Sequence, residues 1–221
     1  KPVGGIHNML HKVDKNEQLS LNWFESLGID YIGKIDGHNI KELEKAFEKA
    51  KENKKSIVVH ISTRKGKGYI HAENDDKGFW HGTGPFEIES GKELNTPKEN
   101  EASWSKIYSR LLEVVLKENN KAVVINPATT VGNYLNRIMQ LFPTRSFDVG
   151  IAEQNLMTTA LGLSLANKIP FAATFAVFAT GRAYDQIRNS ICYQKGNVKV
   201  IGAHGGITVG EDGATHHGCY D

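Results

Sequence analysis

The sequence predicts an α/β protein in which parallel sheets are flanked by helices, organised as two partial domains. The first observation is a set of uninterrupted apolar segments of strand length, at residues 56–62, 122–126, 171–175 and 198–203. Strands of this kind are typical of parallel sheets, whose two faces are both covered. The second observation is that segments of helical period alternate with these strands, which favours a parallel sheet over other α/β arrangements.

Length, charge and cysteine content exclude several classes of protein. The 221 residues suffice for one large or two small domains. The 27 basic and 25 acidic residues nearly balance, so charge gives no reason to expect a nucleic-acid partner. No apolar run approaches membrane-spanning length and no signal-peptide pattern opens the chain. Because Cys192 and Cys219 lie far apart and neither belongs to a C-x-x-C motif, we expect a reduced, cytoplasmic protein with two free thiols.

The first domain is expected over residues 1–87 and begins with an irregular arm. Gly28 is a plausible C-cap for a first helix, because glycine adopts the left-handed conformation that ends helices. Asn39 is a good N-cap for a later helix, since its side chain can accept a hydrogen bond from the first turn. The elements expected here are a helix near residues 19–27, a strand over 31–35, a helix from Asn39 to about Lys51 and the strand 56–62.

The second domain is expected over residues 104–221, after a linker at 88–103. The linker is predicted from its composition, which is rich in Glu, Lys, Asn and Ser with one Pro. The helix that follows, from about Trp104, is predicted to turn Ile107, Leu111, Val114 and Val115 inward. Then come the strand 122–126, a helix over 134–139, a strand ending at 148, a helix from about 153, the strand 171–175, a helix near 182–193 and the strand 198–203.

The most informative stretch is FDVGIAEQN, residues 147–155, in which a strand end meets a glycine and Glu153 opens a helix. One interpretation is structural, because an acid in the first turn complements the helix dipole. The other is functional, because apolar residues flank Glu153 on both sides. A carboxylic acid in an apolar pocket has a raised pKa and can exchange a proton with a bound heterocycle.

Other patterns in the chain have both a structural and a functional interpretation. The loop 63–69 places two glycines among three cations after a strand, where it either admits a phosphate or is an ordinary basic loop. His81, between a Trp and a Gly, either handles phosphate or a proton or is structural. Phe175 and Phe178 are either core residues or a cofactor platform. Arg182 either binds an anionic substrate group or pairs with Asp185 at i+3.

The last glycine-rich segment, residues 203–218, follows a predicted parallel strand, which is where ligands bind in open α/β sheets. Its acids and histidines are suitable metal ligands by type. However, the two acids are adjacent and the two histidines His216 and His217 are adjacent, so convergence on one metal is difficult. We therefore predict no metal ligands in this chain.

Two of these segments resemble the thiamine-diphosphate enzymes of the transketolase superfamily. FDVGIAEQN is similar to the cofactor-activating segment of that family. The resemblance implies that Glu153 hydrogen-bonds a ring nitrogen of the cofactor's aminopyrimidine and so promotes formation of the reactive ylide. TFAVFATGRAYDQIRN, residues 174–189, resembles the family's pyrimidine-binding domains, which implies that Phe175 and Phe178 stack on the pyrimidine.

Three segments of the first half, IDGHN (35–39), GKGY (66–69) and WHGTGPF (80–86), together resemble the end of the diphosphate-binding domain of 1-deoxyxylulose-5-phosphate synthases. This resemblance implies that Tyr69 contacts the cofactor and that His81 faces the substrate. The last segment resembles the family's GEDGxTH loop. That similarity implies that Asp212 contacts a substrate hydroxyl and that His216 assists proton transfer.

One position departs from the synthase pattern. His204 matches a phosphate-binding histidine of transketolases, whereas the synthases usually carry an Arg here, in a D-R-A-G sequence. The chain therefore resembles the synthases before the linker and transketolases after it. In either family, His204 and Arg182 are expected to hold the phosphate of a substrate.

The resemblance implies a thiamine-diphosphate- and Mg²⁺-dependent transferase with the thiamine-diphosphate-binding fold, of which this chain is a middle fragment. The implied reaction condenses pyruvate with glyceraldehyde 3-phosphate to 1-deoxyxylulose 5-phosphate with loss of CO₂, in a homodimer that acts on small molecules without nucleic acid or membrane. The Mg²⁺ ligands are expected upstream of Lys1 and a third domain beyond Asp221. The alternatives are a transketolase, which moves a two-carbon ketol unit between sugar phosphates, and a non-catalytic α/β module.

Overall fold

The structure is a computed structural model that describes residues 23–75, 78–94 and 102–219. The described chain divides between Thr83 and Gly84 into two compact units. The arm and the first residues of the predicted first helix, 19–22, lie outside the described residues, whereas residues 23–26 are helical and Gly28 follows with the left-handed φ of +72° expected of a C-cap. The predicted domain boundaries, with a linker at 88–103, remain a prediction.

The first unit is built on two parallel strands joined by a helix. Strands β1 (Asp30–Asp36) and β2 (Ile57–Ser62) pair in parallel, and helix α1 (Ile40–Glu52) connects them. The predicted N-cap is confirmed, because the Glu42 backbone N–H donates to Asn39 Oδ1 at 3.3 Å and Asn39 Nδ2 donates to Glu42 Oε1 at 2.8 Å. This reciprocal contact sets the start of α1. Beyond β2 lie the short helix α2 (Ile70–Glu73) and one 3₁₀ turn, Phe79–His81.

The second unit contains a four-stranded sheet, within the described residues, in which every pairing is parallel. The spatial order is β4–β3–β5–β6, so the chain leaves β3 to one side for β4 and then crosses to the other side for β5. The strands are β3 (Ala122–Asn126), β4 (Ser146–Asp148), β5 (Ile169–Phe175) and β6 (Lys199–Ala203). Each includes most of a segment predicted as a strand, and the α/β fold class with parallel sheets is confirmed.

Helices cover both faces of this sheet. They are α3 (Trp104–Glu118), α4 (Asn136–Leu141), α5 (Glu153–Leu165), α6 (Ala176–Arg182), a π-helical segment Gln186–Cys192 and a 3₁₀ segment Gly210–His216. Buried side chains of α3 and α4, such as Leu112 and Ile138, pack with Val124 on one face. Buried side chains of α5, such as Leu156, pack with Ile125 on the other. The two layers follow from strand alternation, because neighbouring residues of β3 point to opposite faces.

The predicted inner face of α3 is wrong. Leu111 and Val114 are 62% and 48% exposed, whereas Leu112 and Leu116 are buried at 2% and 0%. The helix carries apolar residues on more than one face, so its periodicity does not select a single inward stripe.

Residues 85–94, which include the start of the predicted linker, form a compact turn in the second unit. The backbone N–H of Glu87 donates to Lys92 O at 2.9 Å, and that of Leu94 donates to Pro85 O at 2.8 Å. The first residues of the predicted linker, 88–94, are thus hydrogen-bonded to the segment that precedes them. Among the helices of the described residues, none combines the length and the apolar character that crossing a bilayer requires.

Candidate active site

The carboxyl ends of the four strands in the second unit lie at one edge of the sheet. The strand order reverses between β3 and β5, because β4 lies on one side of β3 and β5 on the other. In open parallel sheets this is the usual position of a ligand crevice, because the loops diverge to either side. Here β4 leads to Glu153, β5 ends at Phe175, and β6 ends immediately before His204. Three predicted site residues thus arise from three strands at one edge of the sheet.

A carboxylate at the end of β4 organises the turn that leads to Glu153. Asp148 Oδ1 accepts hydrogen bonds from the backbone N–H groups of Ala128 and Gly150, both at 2.9 Å. Gly150 has φ +73°, a left-handed conformation that glycine adopts without strain. The Ala152 N–H then donates to Gly150 O at 2.8 Å, and α5 begins at Glu153. Asp148 therefore joins the loop after β3 to the turn before α5.

Glu153 is buried, with 3% of its surface exposed. Arg182, at the end of α6, donates from Nη1 to Glu153 Oε1 at 2.9 Å. The alternative partner considered from the sequence, Asp185, instead accepts from Asn189 Nδ2. A buried carboxylate is costly without a charged or hydrogen-bonding partner, and Arg182 supplies both. The first-turn position of Glu153 also complements the helix dipole, which agrees with the structural interpretation, while the functional interpretation remains a prediction.

Aromatic rings lie beside this ion pair. The Arg182 guanidinium sits over the Phe178 ring, 4.0 Å from its centroid, a cation–π contact. Phe178 lies 5.7 Å from Phe175 and 5.0 Å from His216, centroid to centroid. Phe175 stacks on His204 at 4.3 Å, with ring planes 9° apart. The structure thus brings together Glu153, Phe175, Phe178, Arg182, His204 and His216 in one connected cluster.

The imidazole of His204 is desolvated within this cluster. Burial lowers the pKa of His204 below its usual 6.5, the nearby Asp212 carboxylate opposes this shift, and His216 reinforces it. Asp212 is thereby placed close to the cluster, although its residue is exposed. The buried Nδ1 of His204 has no hydrogen-bond partner among the described residues. A neutral imidazole with a free ring nitrogen is a group that a polar ligand can satisfy.

Gly132 is a site residue that the sequence analysis missed. A Cβ built on it would lie 2.6 Å from Phe175 Cζ and 2.8 Å from Cε1. Glycine at this loop position therefore leaves the space into which the Phe175 ring packs. One glycine among 22 gives no sequence signal of such a contact, because the contact joins distant segments of the chain.

The remaining predicted site residues, Tyr69 and His81, belong to the first unit. Tyr69 makes an edge contact with Trp80, with ring centroids 5.0 Å apart. Lys65 Nζ lies 2.9 Å from His81 Nδ1. Because an ammonium can only donate, His81 Nδ1 accepts, and the proton of the neutral ring is then on Nε2. The predicted basic loop thus contributes a residue that orients His81.

The described residues contain no cluster of three or more His, Cys, Asp or Glu side chains arranged to hold a metal ion. The two cysteines, Cys192 and Cys219, are free and exposed.

Comparison with known families identifies the second unit. Residues 100–221 match the family described as "Transketolase, pyrimidine binding domain". The chain belongs to the transketolase pyrimidine-binding-domain family. Residues 2–63 match a second family, described as "1-deoxy-D-xylulose-5-phosphate synthase". The resemblance predicted from the motifs on both sides of the linker is confirmed, and the site cluster described above lies entirely within the transketolase pyrimidine-binding domain.

Curated proteins named 1-deoxy-D-xylulose-5-phosphate synthase are similar to this chain. The 1-deoxy-D-xylulose-5-phosphate synthase of Listeria monocytogenes is 42% identical over 99% of this chain and 37% of its own length. That of Listeria innocua is 45% identical over 90% of this chain and 31% of its own length. The chain thus spans about a third of these relatives. A solved split-gene transketolase, described as an inactive β4 tetramer, is 47% identical over 50% of this chain and 34% of its own, with a TM-score of 0.43.

The cluster suits the pyrimidine end of thiamine diphosphate. A pyrimidine ring nitrogen accepts a hydrogen bond when neutral and donates one when protonated, so its partner must exchange a proton, and the faces of the ring need flat apolar surfaces. The buried carboxyl group of Glu153 can be that partner, and the rings of Phe175 and Phe178 supply the surfaces. The unpartnered Nδ1 of His204 adds a polar group inside the same cluster.

Proposed function

We propose that this chain is part of a thiamine-diphosphate-dependent transferase that condenses pyruvate with glyceraldehyde 3-phosphate, forming 1-deoxyxylulose 5-phosphate and CO₂. The observation that carries the proposal is the buried carboxylate of Glu153 beside the aromatic cluster of Phe175 and Phe178. A buried acid beside aromatic rings, at the carboxyl ends of parallel strands, is a typical functional arrangement. The names of the relatives, which match both halves of the chain, support the choice of reaction.

Each residue of the cluster has a part in this proposal. Glu153 shares a proton with a pyrimidine ring nitrogen through a hydrogen bond between them, while Phe175 and Phe178 stack against the ring. Bound thiamine diphosphate supplies the electron sink for carbanion chemistry at a carbonyl carbon. His216 moves protons at the substrate, and Asp212 accepts a hydrogen bond from a substrate hydroxyl.

The substrate phosphate is proposed to bind at Arg182 and His204. A guanidinium binds phosphate through paired N–H donors, and a neutral imidazole donates one hydrogen bond.

Tyr69 is proposed to contact the cofactor and His81 to face the substrate. Mg²⁺ is proposed as the second cofactor, with ligands outside the described residues. We further propose that the active protein is a cytoplasmic homodimer.

Transketolase activity is the second candidate, and His204 favours it. At this position the 1-deoxyxylulose-5-phosphate synthases usually carry an arginine, whereas transketolases carry a phosphate-binding histidine. His204 is therefore a transketolase feature in a chain whose first half resembles the synthases. The donor substrate, pyruvate or a ketose phosphate, distinguishes the two.

The deciding experiment supplies each donor to the protein with thiamine diphosphate and Mg²⁺, using this chain together with any flanking residues of its gene. Release of CO₂ from pyruvate that depends on glyceraldehyde 3-phosphate is the expected result. Cleavage of a ketose phosphate without CO₂ would support the transketolase instead. If calorimetry shows no binding of thiamine diphosphate, both enzyme proposals are refuted and the non-catalytic module remains.

A further inference from the structure

The guanidinium of Arg182 makes the contacts that the proposed function assigns to the cofactor's aminopyrimidine. It is a planar group with N–H donors, it donates to Glu153 Oε1 at 2.9 Å, and it lies over the Phe178 ring at 4.0 Å. An aminopyrimidine held by the same carboxylate and stacked on the same ring needs the same acceptor and the same aromatic surface. A pyrimidine bonded to Glu153 Oε1 and stacked on the face of Phe178 that Arg182 covers would occupy the place of the guanidinium, so one of the two groups must leave.

We propose that Arg182 is an internal substitute for the cofactor's pyrimidine, which pairs with Glu153 in the cofactor-free protein and is displaced when thiamine diphosphate binds. The inference rests on the proposed function, because it assigns the cofactor to Glu153. It adds that Arg182 affects cofactor binding indirectly, because its ion pair with Glu153 holds that carboxylate until the cofactor binds.

The burial of the two partners explains why the pair forms and how it breaks. The Glu153 side chain is 4% exposed, so its charge needs a partner when no ligand is present. The Arg182 side chain is 48% exposed, so the guanidinium can move toward solvent without leaving a buried cation behind. The buried partner is thus fixed and the exposed partner is exchangeable.

Displacement of Arg182 has a consequence for the substrate. A guanidinium released from Glu153 is free to bind an anion, which is the role predicted for Arg182 from the sequence. Cofactor binding then prepares the anion site, so cofactor and substrate phosphate are expected to bind in that order. The competing contact also lowers the apparent affinity for the cofactor, because only the fraction of molecules with an unpaired Glu153 can bind it.

The chain offers a matched control for a substitution at Arg182. Arg137 Nε lies 2.9 Å from Glu113 Oε2, an arginine–glutamate pair of the same length between α3 and α4. Arg137→Gln removes the same charge without involving Glu153, although this pair is more exposed, at 72% and 14%, and Glu113 keeps Lys117 as a second partner. Any effect specific to the cluster must therefore appear in Arg182→Gln and not in Arg137→Gln.

The first measurement is thermal unfolding without cofactor, in a double-mutant cycle of Arg182→Gln and Glu153→Gln. Arg182→Gln is expected to lower Tm by about 5 °C or more, since it leaves the buried Glu153 without its charged partner. In the Glu153→Gln background the same change is expected to have little effect. Equal shifts in both backgrounds would overturn the proposal, because they would mean that the two side chains are not coupled.

The second measurement is calorimetric titration with thiamine diphosphate and Mg²⁺. Arg182→Gln is expected to bind about fivefold more tightly or better than the wild type, while Arg137→Gln matches the wild type. Unchanged or weaker binding by Arg182→Gln would overturn the displacement, although the wild type would still bind and the proposed function would stand. Absence of binding in every variant would refute the proposed function, and the displacement with it.

Discussion

The ring of Phe175 stacks on the imidazole of His204, with centroids 4.3 Å apart and planes 9° from parallel. The two residues come from the ends of neighbouring strands, β5 and β6, which pair directly up to Phe175 and Ala203. His204 follows Ala203 in a left-handed conformation, with φ +55°, and its ring lies against Phe175, for which Gly132 leaves room. This stack joins the part of the cluster that is proposed to bind the cofactor with the part proposed to bind substrate phosphate.

Replacing Gly132 by alanine is expected to displace the Phe175 ring. The new Cβ would lie 2.6 Å from Cζ of that ring, a distance that requires the ring or the loop to move. Overpacking of this kind costs about 1–3 kcal/mol of stability, and misplacing a cofactor contact lowers turnover by roughly 10- to 100-fold. Steady-state kinetics and thiamine diphosphate titration measure the effect.

Gly181→Ala is the control for Gly132→Ala, because a Cβ on Gly181 would meet nothing within 4 Å. It lies in α6 next to Arg182, so it also tests a change close to the cluster. Near-normal turnover in Gly181→Ala and a large loss in Gly132→Ala are expected. If the two variants behave alike, the lack of a side chain at Gly132 does not determine where the Phe175 ring lies.

His204 is expected to make the fold sensitive to acid. Burial holds the pKa of His204 below its unfolded value of 6.5, so the unfolded chain binds a proton more readily than the folded one. The stability linked to this group is fully present above pH 6.5 and is lost as pH falls toward the lower, folded pKa. Denaturation curves measured from pH 8 to pH 5 should therefore show falling stability.

His204→Asn is the variant that isolates this effect. Asparagine tolerates the left-handed backbone at this position, where φ is +55°, better than most residues do. The variant should lose less stability between pH 8 and pH 5 than the wild type. Parallel pH profiles for the two proteins would show that His204 has an ordinary pKa.

Tyr108→Phe is expected to leave the stability unchanged or to raise it by up to about 1 kcal/mol. The hydroxyl of Tyr108 is buried without a hydrogen-bond partner among the described residues, and burial raises the pKa of Tyr108 above its usual range. Removing an unsatisfied hydroxyl removes a desolvation penalty. Chemical denaturation at neutral pH measures the change.

The neighbouring Ser109→Ala gives the opposite expectation. The Ser109 hydroxyl donates to the Tyr134 carbonyl at 2.6 Å, so its removal should cost about 1 kcal/mol. A Tyr108→Phe variant that is destabilised as much as Ser109→Ala would mean that the tyrosine hydroxyl is satisfied after all.

The sheet of the second unit was predicted well because its strands are almost wholly apolar. Strand β3 was predicted residue for residue at Ala122–Asn126, and its five residues are all buried. The helix from Glu153 was also predicted, since a glycine and an acid mark its start. By contrast, α6 was not predicted, because the sequence between Phe175 and Arg182 carries no capping residue and no clear apolar period.

The partners within the cluster were harder to predict than its members. The motif resemblance selected Glu153, Arg182 and Phe178, but the ion pair joins residues 29 positions apart on different helices. Local spacing offered only Asp185 as a partner for the arginine, at i+3. Contacts of this kind depend on how α5 and α6 pack on the sheet, which periodicity does not encode.

The central claim is that the buried carboxylate of Glu153 activates the cofactor, and Glu153→Gln tests it most directly. The amide is nearly isosteric and can still accept a hydrogen bond from Arg182, so the fold should survive. The measurement is kcat for CO₂ release from pyruvate and glyceraldehyde 3-phosphate, with circular dichroism as the check on folding. We predict a folded protein whose kcat is lower by about 10²- to 10⁴-fold. A folded Glu153→Gln variant with near-wild-type kcat would contradict the account.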